Sequence, residues 1–189
     1  MKQANIYFIV IIFMITSCGK SYQPKPLEYF RIDFPQKNYT TFDSVSCYYK
    51  FQYPIYAKIQ PYKKETNNCW LNIQFPYFKA TIHLTYIKIQ NNLRMLTEES
   101  RSLAYKHDIK ADAIIEILYS DTIHNIYGMV YEIKGNAASP IQFFLTDSSN
   151  HFLRGSLYFN VKPNKDSLAP VVAFIKEDIK YLIETLRWK

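Results

Sequence analysis

At 189 residues, with 23 lysines and arginines against 16 aspartates and glutamates, the chain is one domain's worth of sequence with a formal net charge of +7. Its basic residues are dispersed, with only short pairs such as Lys63-Lys64, so the concentrated stripe that phosphate binding needs is missing and nucleic acid is not an expected partner. A hydrophobic fraction of 48 % is enough to bury a core without a structural metal.

The chain opens with an apolar run, Ile6 to Ile15, of about ten residues, against the roughly 20 needed to cross a bilayer; it fits the h-region of a signal peptide and is too short to span. It closes on Ile15-Thr16-Ser17-Cys18, a small-residue pair directly before a cysteine, which is a lipobox pattern. Residues 1–17 therefore read as a lipoprotein signal peptide, and Cys18 as the lipidated first residue of the mature chain. Two or three acyl chains hold a protein at a bilayer where a single chain binds only marginally. Membrane lipid, through acylated Cys18, is the first expected partner. Removing residues 1–17 deletes one lysine and no acid, leaving 22 basic and 16 acidic residues and a net of +6. That charge favours anionic headgroups or acidic partners within a Debye length, ~8 Å at physiological salt. Residues 18–28, with two prolines, a glycine and little that could pack, read as a tether, and residues 29–189 as a single globular domain.

Phe30-Arg31-Ile32-Asp33-Phe34 alternates with period two and stops at Pro35, which predicts a first strand with Arg31 and Asp33 together on its polar face. Further strands are predicted at Cys47 to Tyr53, Tyr56 to Ile59 and Cys69 to Phe75, ended by Pro54, Pro61 and Pro76. Cys47 shares parity with Tyr49 and Phe51, and Cys69 with Leu71 and Ile73, so both thiols point inward. With Cys18 lipidated they can pair only with each other. Export permits that disulfide; the alternative is two buried thiols packing as small hydrophobes. Ala80 to Ile89 is the clearest alternation, with Ile82, Leu84 and Tyr86 on one face and Thr81, His83 and Thr85 on the other.

From Asn92 to His107 the period switches to that of a helix, with Leu93, Leu96, Leu103, Ala104 and His107 on one stripe. Ala113 to Leu118 is ambiguous between a helical turn and a strand. Three strands then follow in a meander: Tyr127 to Ile133, Ile141 to Leu145 before Asp147-Ser148-Ser149-Asn150, and Leu153 to Val161. Ser167 is the predicted cap of a last helix with Pro170 in its first turn and an apolar stripe running from Leu168 to Trp188. The sum is an α+β fold: an antiparallel sheet of about six to eight strands with amphipathic helices packed on it. In element order it resembles the PsbP-like α/β/α arrangement.

No catalytic grammar is apparent. The histidines at 83, 107, 124 and 151 form no HxxxH or HExxH pair, the cysteines are not at zinc spacing, and four glycines build no phosphate-cradling loop. No cofactor or small-molecule ligand is expected. Thirty-two aromatic residues, 17 of them Tyr, point either to a recognition surface or to a biased usage that fills core and surface alike. Arg31, Asp33, His83 and His107 are the candidate interaction surface. In the competing reading, an envelope enzyme acting on peptidoglycan or glycan, Asp33, His83 or His107 would converge in a cleft.

Several strings resemble the gliding-motility lipoprotein GldD family of Bacteroidota: Tyr29-Phe30-Arg31-Ile32-Asp33-Phe34-Pro35, Cys69-Trp70-Leu71-Asn72-Ile73, Phe78-Lys79-Ala80-Thr81-Ile82-His83-Leu84, Tyr105-Lys106-His107 and His151-Phe152-Leu153-Arg154-Gly155-Ser156-Leu157-Tyr158-Phe159. The resemblance implies a non-catalytic envelope lipoprotein needed for gliding and the associated type IX secretion machinery, with other gliding-motility envelope proteins as partners. It implies no catalytic residues. Surface-exported lipoproteins of that phylum commonly carry acids just after the lipidated cysteine. Gly19-Lys20-Ser21-Tyr22 has none, so the expected site is the outer membrane, facing the periplasm.

Overall fold

Alternation of apolar and polar residues builds most of the strands in the computed structural model, which describes residues 32–62, 69–106 and 111–189. The signal peptide, the tether, Cys18, Arg31 and His107 lie outside the described residues. In chain order come β1 (Tyr39–Asp43), β2 (Tyr49–Pro54), β3 (Lys58–Pro61), β4 (Leu71–Phe75), β5 (Ala80–Lys88), α1 (Leu93–Tyr105), β6 (Ala111–Asp121), β7 (Ile126–Gly135), β8 (Ile141–Thr146), β9 (His151–Phe159), α2 (Lys165–Thr185) and β10 (Arg187–Trp188). Seven strands form one antiparallel sheet in the order β3-β4-β5-β9-β8-β7-β6. A smaller sheet runs β1-β2-β10. The fold is α+β, as the element order predicts.

All six residues of β8 are buried, so both faces of the large sheet are covered at its centre. On one face Tyr131 and Ile133 of β7, Phe144 of β8 and Phe152 of β9 cluster with Leu96 and Ala104 of α1. The rings of Phe144 and Phe152 stack at 5.3 Å. The opposite face carries Ile82, Leu84, Phe143, Leu145, Leu153 and Leu157, all buried, and receives the buried stripe Val171, Ile175, Ile179 and Leu182 of α2. Gly155 is required there: a Cβ on it would lie 2.1 Å from the Phe143 ring, so the absent side chain is where that ring sits.

The small sheet lies beside α2 in the same layer. Thr185 Oγ1 accepts from the Gln52 amide at 3.0 Å, the Tyr181 hydroxyl donates to Gln52 Oε1 at 2.8 Å, and the rings of Tyr39 and Tyr181 are 4.0 Å apart. Asp178, on the same flank of α2, is buried. Its Oδ1 accepts from Lys37 Nζ at 2.7 Å and Tyr39 Oη at 3.0 Å, and its Oδ2 from Tyr56 Oη at 2.6 Å. Lys37 also lies over the Phe174 ring at 4.1 Å. Burial, then the bond to Asp178, raises the pKa of both Tyr39 and Tyr56, so they remain donors. One carboxylate thus ties residues 37–56 to the last helix.

Four features depart from the sequence reading. Residues 32–38 form no strand: Phe34 instead stacks on Phe174 at 4.6 Å, so this aromatic covers α2 and does not alternate within a sheet. The ambiguous stretch after residue 110 is a strand, β6. The last helix starts before Ser167: Asn164 is its cap, accepting from the Ser167 amide at 3.3 Å, and Pro170 stands inside the helix. That helix also ends before Trp188, because Arg187 and Trp188 leave it to pair with Lys50 and Tyr49 of β2.

Replacing Asp178 by Ala removes the acceptor of three buried or half-buried donors. The expected loss is about 3 kcal/mol of unfolding free energy, the low end for breaking a buried pair because the Lys37 side chain, 30 % exposed, can still reach water. Urea unfolding followed by circular dichroism measures it, and a change within 0.5 kcal/mol of zero, the range of ordinary surface substitutions, would remove the clamp from this description.

Candidate functional site

Strand parity places His83 on the α1 side of the large sheet, where the register sets it beside Asn72 of β4 and Ser156 of β9. The same face carries Trp70, Asn72 and Gln74 from β4 and its approach, Gln60 from β3, Thr81 and Thr85 from β5, and Tyr158 from β9. Helix α1 packs over β8 and β9, and its Glu99 carboxylate is 3.4 Å from Arg154 of β9. His83, Gln60 and Tyr158 are exposed, and their neighbours half-buried. The result is an open platform of amides, hydroxyls and aromatic rings.

Within it the side chains are already ordered by one another. His83 Nδ1 donates to Asn72 Oδ1 at 2.7 Å, which leaves Nε2 as an outward acceptor. Gln74 Nε2 donates to Gln60 Oε1 at 3.1 Å, and the His83 and Tyr158 rings are 5.7 Å apart. Trp70 Nε1 donates to the Tyr86 carbonyl at 2.7 Å, fixing an indole that lies 6.0 Å from the Tyr62 ring. Partial burial lowers the pKa of His83, so it is neutral at pH 7. Such a surface offers hydrogen-bond donors, acceptors and stacking faces.

Of the candidate surface residues named from the sequence, Arg31 and His107 lie outside the described residues, and Asp33 is not beside His83. Asp33 belongs to the segment that Phe34 fastens to α2, whereas His83 faces the other side of the sheet. His124 sits in the β6–β7 turn, 2.6 Å from Asp121, and His151 begins β9. The described imidazoles are therefore in three separate places. Among the described residues no three His, Cys, Asp or Glu side chains meet as metal ligands. Cys47 and Cys69 are both buried, as their parity requires. They are hydrogen-bonded neighbours: burial first, and then the bond to Cys69, pushes the Cys47 thiol up to about 12. Cys69 Sγ in turn donates to the Ser46 carbonyl at 2.9 Å.

What the sequence reading missed is a second cluster around His151. The Tyr86 hydroxyl and His151 Nδ1 are hydrogen-bonded at 2.8 Å, Trp188 stacks on the imidazole at 5.2 Å, and the Tyr48 ring stacks on Tyr86 at 5.2 Å. Asp147 prepares the entry to β9 by accepting from the amides of Ser149, Asn150 and His151 at 2.8–3.0 Å. Parity alone shows that Tyr86 and His151 share a face; the contribution of Trp188 depends on the β10 pairing, which has no local signal.

With that geometry in place, comparison with known proteins decides the family. The model of the family described as gliding motility lipoprotein GldD matches residues 19–188. The chain belongs to the GldD family of gliding motility lipoproteins. Gliding motility and the cell envelope are the setting that membership carries. No curated protein matches the chain. Among solved structures it is similar to the solution structure of cyanobacterial PsbP (CyanoP) from Synechocystis sp. PCC 6803, with a TM-score of 0.52 and 10 % identity, over 82 % of this chain and 95 % of that one. At that identity the likeness establishes a shared PsbP-like fold and nothing about activity. No helix among the described residues is long and apolar enough to cross a membrane.

Burial is the main cause that lowers the pKa of His151, against an opposing pull from Asp147. The unfolded chain, with its imidazole near the ordinary value of about 6.5, then binds more protons than the folded one as pH falls. The stability contribution is complete above that value and is lost as pH drops through the lower, folded pKa. His83 acts with the same sign. Urea midpoints measured from pH 7 to pH 5 should therefore fall, and replacing His151 by Gln should flatten the slope. An unchanged slope in the variant would take His151 out of the pH dependence.

Proposed function

We propose that the mature protein is held by acyl chains on Cys18 at the periplasmic leaflet of the outer membrane, where it serves as a non-catalytic binding component of the gliding apparatus and the type IX secretion machinery associated with it. The observation that carries this reading is the family match, which begins at residue 19, directly after the lipobox cysteine. The absence of acids in Gly19-Lys20-Ser21-Tyr22 supports the periplasmic side. Acylation confines the domain to two dimensions, which raises its effective concentration beside membrane partners without any added contact.

The platform around His83 is the contact surface in this reading. Neutral amides, hydroxyls and three rings suit the polar, aromatic character of protein-recognition patches, in which Tyr and Trp combine a flat apolar face with a hydrogen-bonding edge. Its side chains are held by the Asn72 and Gln60 bonds before a partner arrives, which lowers the ordering cost of binding. In the competing reading, enzymatic action on glycan, two of Asp33, His83 and His107 would converge in a cleft; Asp33 and His83 lie on different sides of the sheet, and His107 lies outside the described residues.

Cys18→Ser, expressed behind a signal peptide that a non-lipoprotein peptidase removes, separates anchoring from folding. The circular dichroism spectrum should match that of the wild-type domain, the protein should move from the membrane fraction to the soluble periplasm, and colony spreading should be lost. Wild-type spreading by the soluble variant would overturn the proposal.

A further inference from the structure

The two edges of the large sheet are treated differently. At one end β3 has only four residues, Lys58–Pro61, and carries a lysine and a proline, both standard protections against pairing with another chain. At the other end β6 runs for 11 residues with neither lysine nor proline. Roughly 35 Å of strand, at about 3.4 Å per residue, thus ends the sheet. Among the described residues no strand pairs with its outer side. Its protections are confined to a bulge at Ala111/Ala113 and three acidic side chains, and between them the apolar residues are open to water: Ile115 is 44 %, Ile117 42 % and Leu118 75 % exposed.

Beneath this edge is a hollow. On the α2 face, Ile117 of β6, Val130 of β7, and Ile179 and Ile183 of α2 line a cavity of about 210 Å³ that α2 does not fill, with two lysines and two glutamates, Lys176, Lys180, Glu132 and Glu184, balancing one another in the same lining. A strand added along β6 would bring every second side chain to that face, beside Ile115 and Ile117, at the mouth of the hollow. The alternate side chains would lie beside Glu116 and Leu118 on the α1 face.

The charge on the edge identifies the occupant. Asp112, Glu116 and Asp121 are the only charged residues in β6, and all are acidic. Asp112 pairs with Lys165 at 2.8 Å and Glu116 with Arg101 at 3.4 Å, but these partners are 50 % and 55 % exposed, and pairs so open to water contribute little and exchange readily. A second copy would oppose this acidic strand to itself: antiparallel registers centred on residue 114 or 116 set acid against acid.

We infer that β6 is a docking edge that accepts one extended segment of a partner protein by strand addition, a segment with apolar side chains at alternate positions and lysine or arginine between them. Main-chain hydrogen bonds supply the affinity and the hollow under Ile117 selects the apolar side chain. This adds a second surface to the partner-binding reading given under the proposed function, and rests on that reading for its biological use but not for its chemistry.

Hydrogen exchange read by mass spectrometry on the full lipoprotein in detergent tests it with two eight-residue acetylated peptides, one alternating Val and Lys, the other Val and Glu. The Val–Lys peptide should slow exchange across residues 113–119 and bind at least tenfold more tightly than the Val–Glu peptide. Ile117→Lys should weaken that binding at least tenfold while exchange in β8 and β9 stays unchanged, with Leu118→Lys as the parallel variant should the first fail to fold. Equal binding of both peptides, protection elsewhere or no protection would overturn the inference. So would concentration-dependent protection of β6 without peptide, which assigns the edge to a second copy. None of these outcomes bears on membrane release by Cys18→Ser, so the two claims fail separately.

Discussion

The double-sided burial of β8 is the constraint from which the rest of the architecture follows. A strand with Phe143 and Leu145 on one face and Phe144 on the other cannot lie at a surface, so the sheet needs a layer on each side. The chain supplies them at different points: α1 midway along, α2 at its end. Each is an amphipathic helix whose stability comes mainly from the aromatic and aliphatic side chains it covers.

Two helices do not cover seven strands, and the uncovered parts decide what the molecule offers to others. On the α2 side the small sheet completes the layer over β4 and β5, locked to the helix by Asp178 and its three donors. Among the described residues nothing comparable continues that layer over β6, where the hollow and exposed isoleucines remain. On the α1 side the helix stops at β9, leaving the ordered polar platform of β3, β4 and β5. The surfaces available for recognition are therefore consequences of how far each covering element extends. A lipid-anchored domain built in this way presents both a hydrogen-bonding plane and an unprotected strand to whatever shares its membrane.

Much of this order was legible in the sequence because alternation is a local signal. In β5, Ile82, Leu84 and Tyr86 are buried while His83 faces water, as their parity requires. The strand β6 resisted the same reading because an edge strand buries neither face fully; its pattern of mostly exposed residues leaves no period to detect. Phe30 to Phe34 carried a strand-like period, yet Phe34 is used against Phe174. Alternation shows which residues are apolar, but the choice of surface is made by tertiary packing. Asn164 and Ser167 are both good cap residues, and the earlier one prevails. The β10 pairing joins Trp188 to Tyr49, far apart in the chain, so no window along the sequence contains it. The platform's partners were recoverable in part: Asn72 and Tyr158 share a face with His83 once neighbouring strands are paired, but which strands pair is a matter of topology. The burial of Cys47 and Cys69 followed from their parity.

The central proposal is that acylation of Cys18 makes this α+β domain an envelope component. Feeding labelled palmitate to the native host and isolating the protein tests it most directly. Label should co-migrate with the mature chain and be absent from the Cys18→Ser form. A mature chain that carries no label, or equal label in both forms, would contradict the account.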